Sequence, residues 1–163
     1  MVTVSITGHR PEAIDDMVWV RAAIKQAYAD MRAEKVIQGM AAGVDLWSAA
    51  EAWNSKIPFV AARPWSTHTA RIADRKAYEW VLANAIEVVN VSDALTFPGN
   101  FIYHTRNKYM VDNADAVLAV WDGSLKGGTY ACFQYAVQQE KPIYRIDPKR
   151  KIVHGWIANN PLL

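Results

Sequence analysis

AVLAVWDGSLKGGTYACFQYAVQQE, residues 116–140, joins a short β-branched run to an uninterrupted helix-forming run through a turn rich in glycine. The run at 116–121 reads as a strand, and 129–140 reads as the helix that follows it. Gly127 and Gly128 stand together just before Thr129, which is able to cap a helix, and bare amides at a helix start favour an anion. Working outward, the alternation repeats. Residues 2–7, 35–38, 58–62, 87–91 and 142–146 also read as strands, with crossovers at 44–54, 67–85 and 103–113 between them. The first crossover carries Met17, Val20, Ile24, Ala27, Tyr28 and Met31 at the spacing of one helix face. Strands separated by helices predict an α/β fold, a three-layer sandwich with a mostly parallel central sheet. Residues 1–147 form the domain, and 148–163, where the pattern is lost, form a C-terminal appendage of it.

Bulk properties narrow the function. A chain of 163 residues, 52% hydrophobic, suffices for one core without disulfides or metal. Its net charge of +2, from 18 basic and 16 acidic residues, gives no field for nonspecific polyanion binding, so any anion is held locally. One cysteine excludes an intrachain disulfide framework. The start, MVTVSITGHRP, enters a strand-like run with no basic or long apolar leader, and no run nears the roughly 18 apolar residues of a membrane span. The expectation is a cytoplasmic protein with no membrane partner.

The unusual residues fall on one rim. Ligands of open parallel sheets bind beyond the carboxyl ends of the strands. Those positions carry GHRP, GMAAGVD, RPW and WDGSLKGGT, whereas RAEK, NSKI and QQEK at the other end are solvated connections. Gly8, His9 and Arg10 read as a phosphate-facing turn with a forked donor, or as a plain strand-to-helix turn opened by Pro11. Gly39 and Gly43 lack the GxGxxG spacing, and no acid closes the second strand to hold a ribose, which argues against a nicotinamide cofactor. They still bring backbone amides to a helix start. Asp45, in that first turn, reads as a capping residue and as the most conspicuous carboxylate of the rim. Arg106 opens a further helix and can reach an anion; Lys108 lies on another face, and His104 has nothing near it in sequence to orient it. Cys132 reads as a small core residue. Most tryptophans read as core, with Trp65, just past a strand end, as a candidate wall for a base. Scattered histidines and a lone cysteine give no metal-ligand spacing, and no GxSxG elbow is present.

Taken together, TGHRP, GMAAGVDLWSAAEA, RNKYMVDNADAVLAVWDG and GGTYACFQYA, in that order, resemble the SLOG superfamily of Rossmann-like nucleotide-binding proteins. Within it the likeness is to the YpsA (DUF1273) group, related to the LOG phosphoribohydrolases and to the DNA-processing protein DprA, and it covers residue 2 to about residue 147. The resemblance implies a nucleotide or nucleotide-derived ligand across the rim, no further cofactor, and a homo-oligomer, for which the tail offers Trp156, Ile157, Leu162 and Leu163. In LOG-type enzymes an Arg before strand five and a Glu after the Gly-Thr turn serve cleavage of the N-glycosidic bond. The Arg matches Arg106, but the neighbouring Lys is Asn107 here, and Ala131 and Cys132 occupy the Glu positions. Cleavage through an oxocarbenium-like state needs a carboxylate. The expectation is therefore recognition without cleavage, with ligand contacts at Gly8, His9, Arg10, Gly39, Gly43, Asp45, Arg106, Asn107, Asp122, Gly127, Gly128 and Thr129. The alternatives are an N-glycosidase using a relocated carboxylate, Asp45 or Asp122, and single-stranded DNA binding of the DprA type. The near-neutral charge and the lack of a basic stripe weigh against nucleic acid.

Overall fold

The computed structural model describes residues 1–157. The strands β1 (Thr3–Gly8), β2 (Lys35–Gln38), β3 (Phe59–Trp65), β4 (Glu87–Ser92), β5 (Ala116–Val120), β6 (Ile143–Asp147) and β7 (Ile152–Ile157) form one seven-stranded sheet in the order β4-β3-β2-β1-β5-β6-β7. All neighbouring pairs are parallel except β6 with β7. The helices are α1 (Met17–Met31), α2 (Val44–Asn54), α3 (Arg75–Asn84), α4 (Phe101–Asp112) and α5 (Gly128–Gln138).

Alternation along β5 explains the three layers. Ala116, Leu118 and Val120 join the core beneath α1, α2 and α3, where Val20, Ile24, Tyr28, Ala49 and Tyr78 are buried. Val117 and Ala119 point to the other face, under Val111 of α4 and Phe133 of α5. All five residues of β5 are buried, as expected for a central strand covered on both sides. Among the described residues, no helix is long and apolar enough to cross a membrane.

Three expectations are corrected. The segment after Asp147 does not leave the pattern: Ile152–Ile157 pairs antiparallel with β6. The Asp147 carboxylate accepts hydrogen bonds from the amides of Lys149 and Arg150, both at 3.0 Å, and this turn reverses the chain too tightly for another crossover helix. The crossover expected to be helical over 67–85 starts its helix only at Arg75, after a 3₁₀ turn at Ile72–Asp74. Residues 67–71 form a loop because His68 is tied down. Its carbonyl accepts from Arg63 Nη2 at 2.6 Å and from the Tyr78 hydroxyl at 2.6 Å. Met17, expected on the inner face of α1, is 43% exposed in the helix's first turn. Trp156 of the tail packs edge-on against Tyr144, with centroids 5.7 Å apart; Leu162 and Leu163 lie outside the described residues.

Candidate ligand cleft

The strand order reverses between β1 and β5, since the chain builds β1 to β4 outward in one direction and β5 to β7 in the other. At such a switch point the loops leaving the two strands diverge and open a crevice. Here it is a cleft of about 800 Å³. Of the expected residues, Gly8, His9, Arg10, Asp45, Arg106, Asn107, Gly127, Gly128 and Thr129 line it, together with Trp65 and His104; Gly39, Gly43 and Asp122 do not.

Those three serve the loops instead. A Cβ on Gly39 would lie 2.8 Å from Arg106 Nε, so this glycine makes room for the guanidinium. Gly43 has φ +89°, and a Cβ there would crowd the His9 carbonyl and Pro11, fixing how α2 starts beneath the β1 loop. The Asp122 carboxylate accepts from the Ser124 amide at 2.9 Å. Burial pushes the Asp122 carboxyl up, but the hydrogen bonds from Ser124 and the charge of Lys149 hold it below the usual range. The Asp122 amide donates to His9 Nε2 at 3.1 Å, which stitches the β1 loop to the β5 loop.

The floor of the cleft is a buried guanidinium. Arg106 is 8% exposed; its Nη1 donates to the Gly39 carbonyl at 2.8 Å, while Nε and Nη2 donate to Asn107 Oδ1 at 3.2 and 3.1 Å. Its guanidinium lies 5.6 Å from the Tyr103 ring centre. No salt bridge joins it to an acid among the described residues. Asp45, 6% exposed, accepts from the Ala41 amide at 3.2 Å. Burial raises its carboxyl above the usual range, against the opposing pull of Arg106 and the Ala41 and Gly39 amides. The loop between them carries Met40 at φ +66°, a left-handed conformation in a residue with a side chain. Buried Gln38 holds it there, its Oε1 accepting from the Met40 amide at 2.8 Å.

At the start of α5, Gly127 is the N-cap at φ +93°, and no side chain caps the helix. The helix begins one residue earlier than expected, so Thr129 lies within its first turn, buried. The first intrahelical bond runs from Ala131 to the Gly127 carbonyl, which leaves the Gly128, Thr129 and Tyr130 amides as orphan donors. A Cβ on Gly127 or on Gly128 would meet nothing within 4 Å. Gly128 has no positive φ, so neither backbone conformation nor packing requires glycine there. Cys132, one turn on, is buried, and burial pushes its thiol up to about 11, which makes it inert at neutral pH.

An aromatic wall faces this end. Trp65 contacts His68 edge-on at 4.7 Å, Phe97 at 5.3 Å and Tyr103 at 6.2 Å between ring centres. Burial, then the charges of Arg106, Arg63 and Arg10, lower the His68 imidazole to about 4, so it is neutral at physiological pH. Sequence reasoning passed over His68, Glu12 and Arg71, all on the cleft. Arg71 pairs with Glu12 at 2.5 Å and with Asp74 at 2.6 Å, bridging the loops after β1 and β3. The run STHTAR after RPW was the available signal, but reading 67–85 as one helix hid it. His104 lines the cleft and is exposed, whereas Lys108 turns outward to the Tyr135 ring. Among the described residues no three His, Cys, Asp or Glu side chains gather to hold a metal.

No protein-family profile matches the chain. It is 39% identical over 74 residues to the uncharacterized SPbeta prophage-derived protein YoqJ of Bacillus subtilis (strain 168), a match covering 39% of this chain and 43% of that one. Among solved structures it is similar to DNA processing protein A (DprA), from Streptococcus pneumoniae with TM-score 0.71, 15% identity, and 90% of this chain on 50% of that one. For DprA from Helicobacter pylori, a structure described by its single-stranded DNA binding mode, the TM-score is 0.69 with 19% identity, covering 89% and 65%. The molybdenum cofactor binding protein of Rippkaea orientalis gives TM-score 0.60 with 16% identity, covering 99% and 91%. The chain thus spans less than half of YoqJ and about half of the pneumococcal DprA.

Proposed function

Because the chain has a SLOG-type fold whose switch-point cleft joins a bare helix start to a buried guanidinium, we propose that it binds or senses a nucleotide or nucleotide-derived ligand without cleaving it. The observation that carries this reading is Arg106, buried on the cleft floor with no acid paired to it. Burial pushes the nearby Asp45 carboxyl towards its neutral form and no acid among the described residues forms a salt bridge with Arg106, so an anionic ligand supplies the counter-charge that this buried guanidinium needs. In this reading the phosphate sits on the Gly128, Thr129 and Tyr130 amides at the positive end of α5, with Arg106 beneath it and exposed Arg10 at the mouth. Gly127 and Gly128 let it approach the backbone. The base lies against Trp65 and Tyr103. Ala131 and Cys132 supply no carboxylate or reactive thiol beside the phosphate, which favours recognition over hydrolysis.

One observation keeps the N-glycosidase reading in play: of the two relocated carboxylates expected, Asp45 lines the cleft, whereas Asp122 is held in its own turn. Titration calorimetry with a panel of 5′-nucleotides tests the leading reading. The wild type binds, and Gly128→Val, whose new side chain has free space but fills the phosphate position, loses on the order of 10²-fold in affinity with its melting temperature kept. Unchanged affinity in the variant overturns the reading. Chromatography of the same mixtures separates the rivals: intact nucleotide supports recognition, and free base that vanishes in Asp45→Asn supports the hydrolase. Preference for a single-stranded oligonucleotide, weakening steeply with salt, supports the DNA-binding alternative instead.

A further inference from the structure

The His68 side chain lines the cleft with its hydrogen bonding fixed by Tyr78. Its Nδ1 lies 2.8 Å from the Tyr78 hydroxyl oxygen, and that same hydroxyl lies 2.6 Å from the His68 carbonyl oxygen. A carbonyl has no proton to offer, so the short oxygen–oxygen contact takes the hydroxyl hydrogen. The contact with Nδ1 must then be filled by a proton on the imidazole. The single N–H of Arg63 Nε is shared between the His68 carbonyl at 2.9 Å and the hydroxyl at 3.1 Å, so the hydroxyl oxygen keeps a lone pair to accept from Nδ1–H. The neutral ring carries one proton and Nδ1 holds it, which leaves Nε2 with a bare lone pair. No partner within the protein takes Nε2 among the described residues. The ring is held against Trp65 at an interplanar angle of 79° and 5.5 Å from Tyr78 between centroids, so it cannot turn without breaking this network.

We propose that His68 determines base specificity in the cleft, its Nε2 accepting a hydrogen bond from an N–H on the edge of a base stacked at Trp65. The inference rests on the nucleotide reading above and adds to it a ligand class: bases that present an exocyclic amine or ring N–H to that wall. Burial first, and then the charges of Arg106, Arg63 and Arg10, keep the imidazole unprotonated near neutral pH, so the acceptor persists. A ligand without such a donor leaves Nε2 desolvated and unpaired, which is the basis of discrimination.

The test compares AMP with purine riboside 5′-monophosphate, which keeps the ribose and phosphate and lacks the amine. In calorimetry the wild-type protein binds AMP about 3- to 10-fold more tightly, the range of one neutral hydrogen bond. His68→Phe keeps an aromatic ring against Trp65 and abolishes the preference by weakening AMP alone; His68→Gln, with an amide oxygen as acceptor, retains part of it. Thermal melts of both variants establish that they fold. Equal binding of the two nucleotides by the wild type overturns His68's role and leaves the nucleotide reading standing, as does a preference that survives in His68→Phe. Failure of every 5′-nucleotide in the panel to bind the wild type overturns the nucleotide reading, and this proposal with it.

Discussion

Asp45 feels two opposed influences. Burial favours its neutral form, and Arg106 with two backbone amides favours the carboxylate, with burial the stronger. Its folded pKa therefore lies above the unfolded value, so the unfolded chain releases this proton more readily and the group's contribution to stability declines as pH rises through the folded pKa. Asp45→Asn keeps an oxygen for the Ala41 amide and removes the ionisation. The variant is expected to melt above the wild type at pH 7–8, with the difference shrinking towards pH 4; melting curves across that range that stay parallel would refute the account. At this scale the sequence was informative where a residue type is rare in its setting. Arg106, Gly128 and the missing carboxylate at Ala131 and Cys132 stood out because neighbouring motifs framed them. His68 did not, since its meaning comes from Arg63 and Tyr78, which lie five and ten residues away and meet it only in the folded chain.

Helix starts show why two glycines of similar appearance have different meanings. A Cβ on Gly8 would overlap the Val44 side chain at the first residue of α2, so the glycine is required by the contact between β1 and α2. At Gly128 the same atom would enter open cleft. Gly8→Ala is expected to destabilise the fold by about 1–3 kcal/mol, as overpacking does. Gly128→Ala is expected to be neutral or to stabilise by up to about 1 kcal/mol, from helix propensity. Urea unfolding distinguishes them, and a destabilised Gly128→Ala would mean that the glycine has a structural reason unseen in the packing. Element order and the parallel sheet were legible because each strand is a short apolar run closed by a distinctive turn. β7 was not, because its reversal depends on a side-chain-to-backbone turn at Asp147, and α3 was read too long because its helical pattern continues into a loop that Arg63 and Tyr78 hold open.

Across the whole molecule the cleft is assembled from both sides of the switch point. Asp122 and His9 join the β5 and β1 loops, Arg106 and Gly39 join α4 to the β2 loop, and Glu12 with Arg71 spans the loops of β1 and β3. These ties hold the walls together within the chain itself, which would reduce the ordering that binding of the proposed nucleotide must impose. The seat exists only when the walls are together, so a ligand that fills it binds the folded chain and not the unfolded one. Mass action then stabilises the fold by about 2.7 kcal/mol at a hundredfold excess over Kd, which for a domain of this size is a rise of about 5–10 °C in Tm. The rise should grow with the logarithm of nucleotide concentration and be absent in Gly128→Val, whose own Tm stays near that of the wild type. A rise of equal size in the variant would locate the nucleotide away from α5. No rise at saturation would mean that the nucleotide does not depend on the assembled cleft, and the two halves of the sheet would need another reason to meet so closely around Arg106.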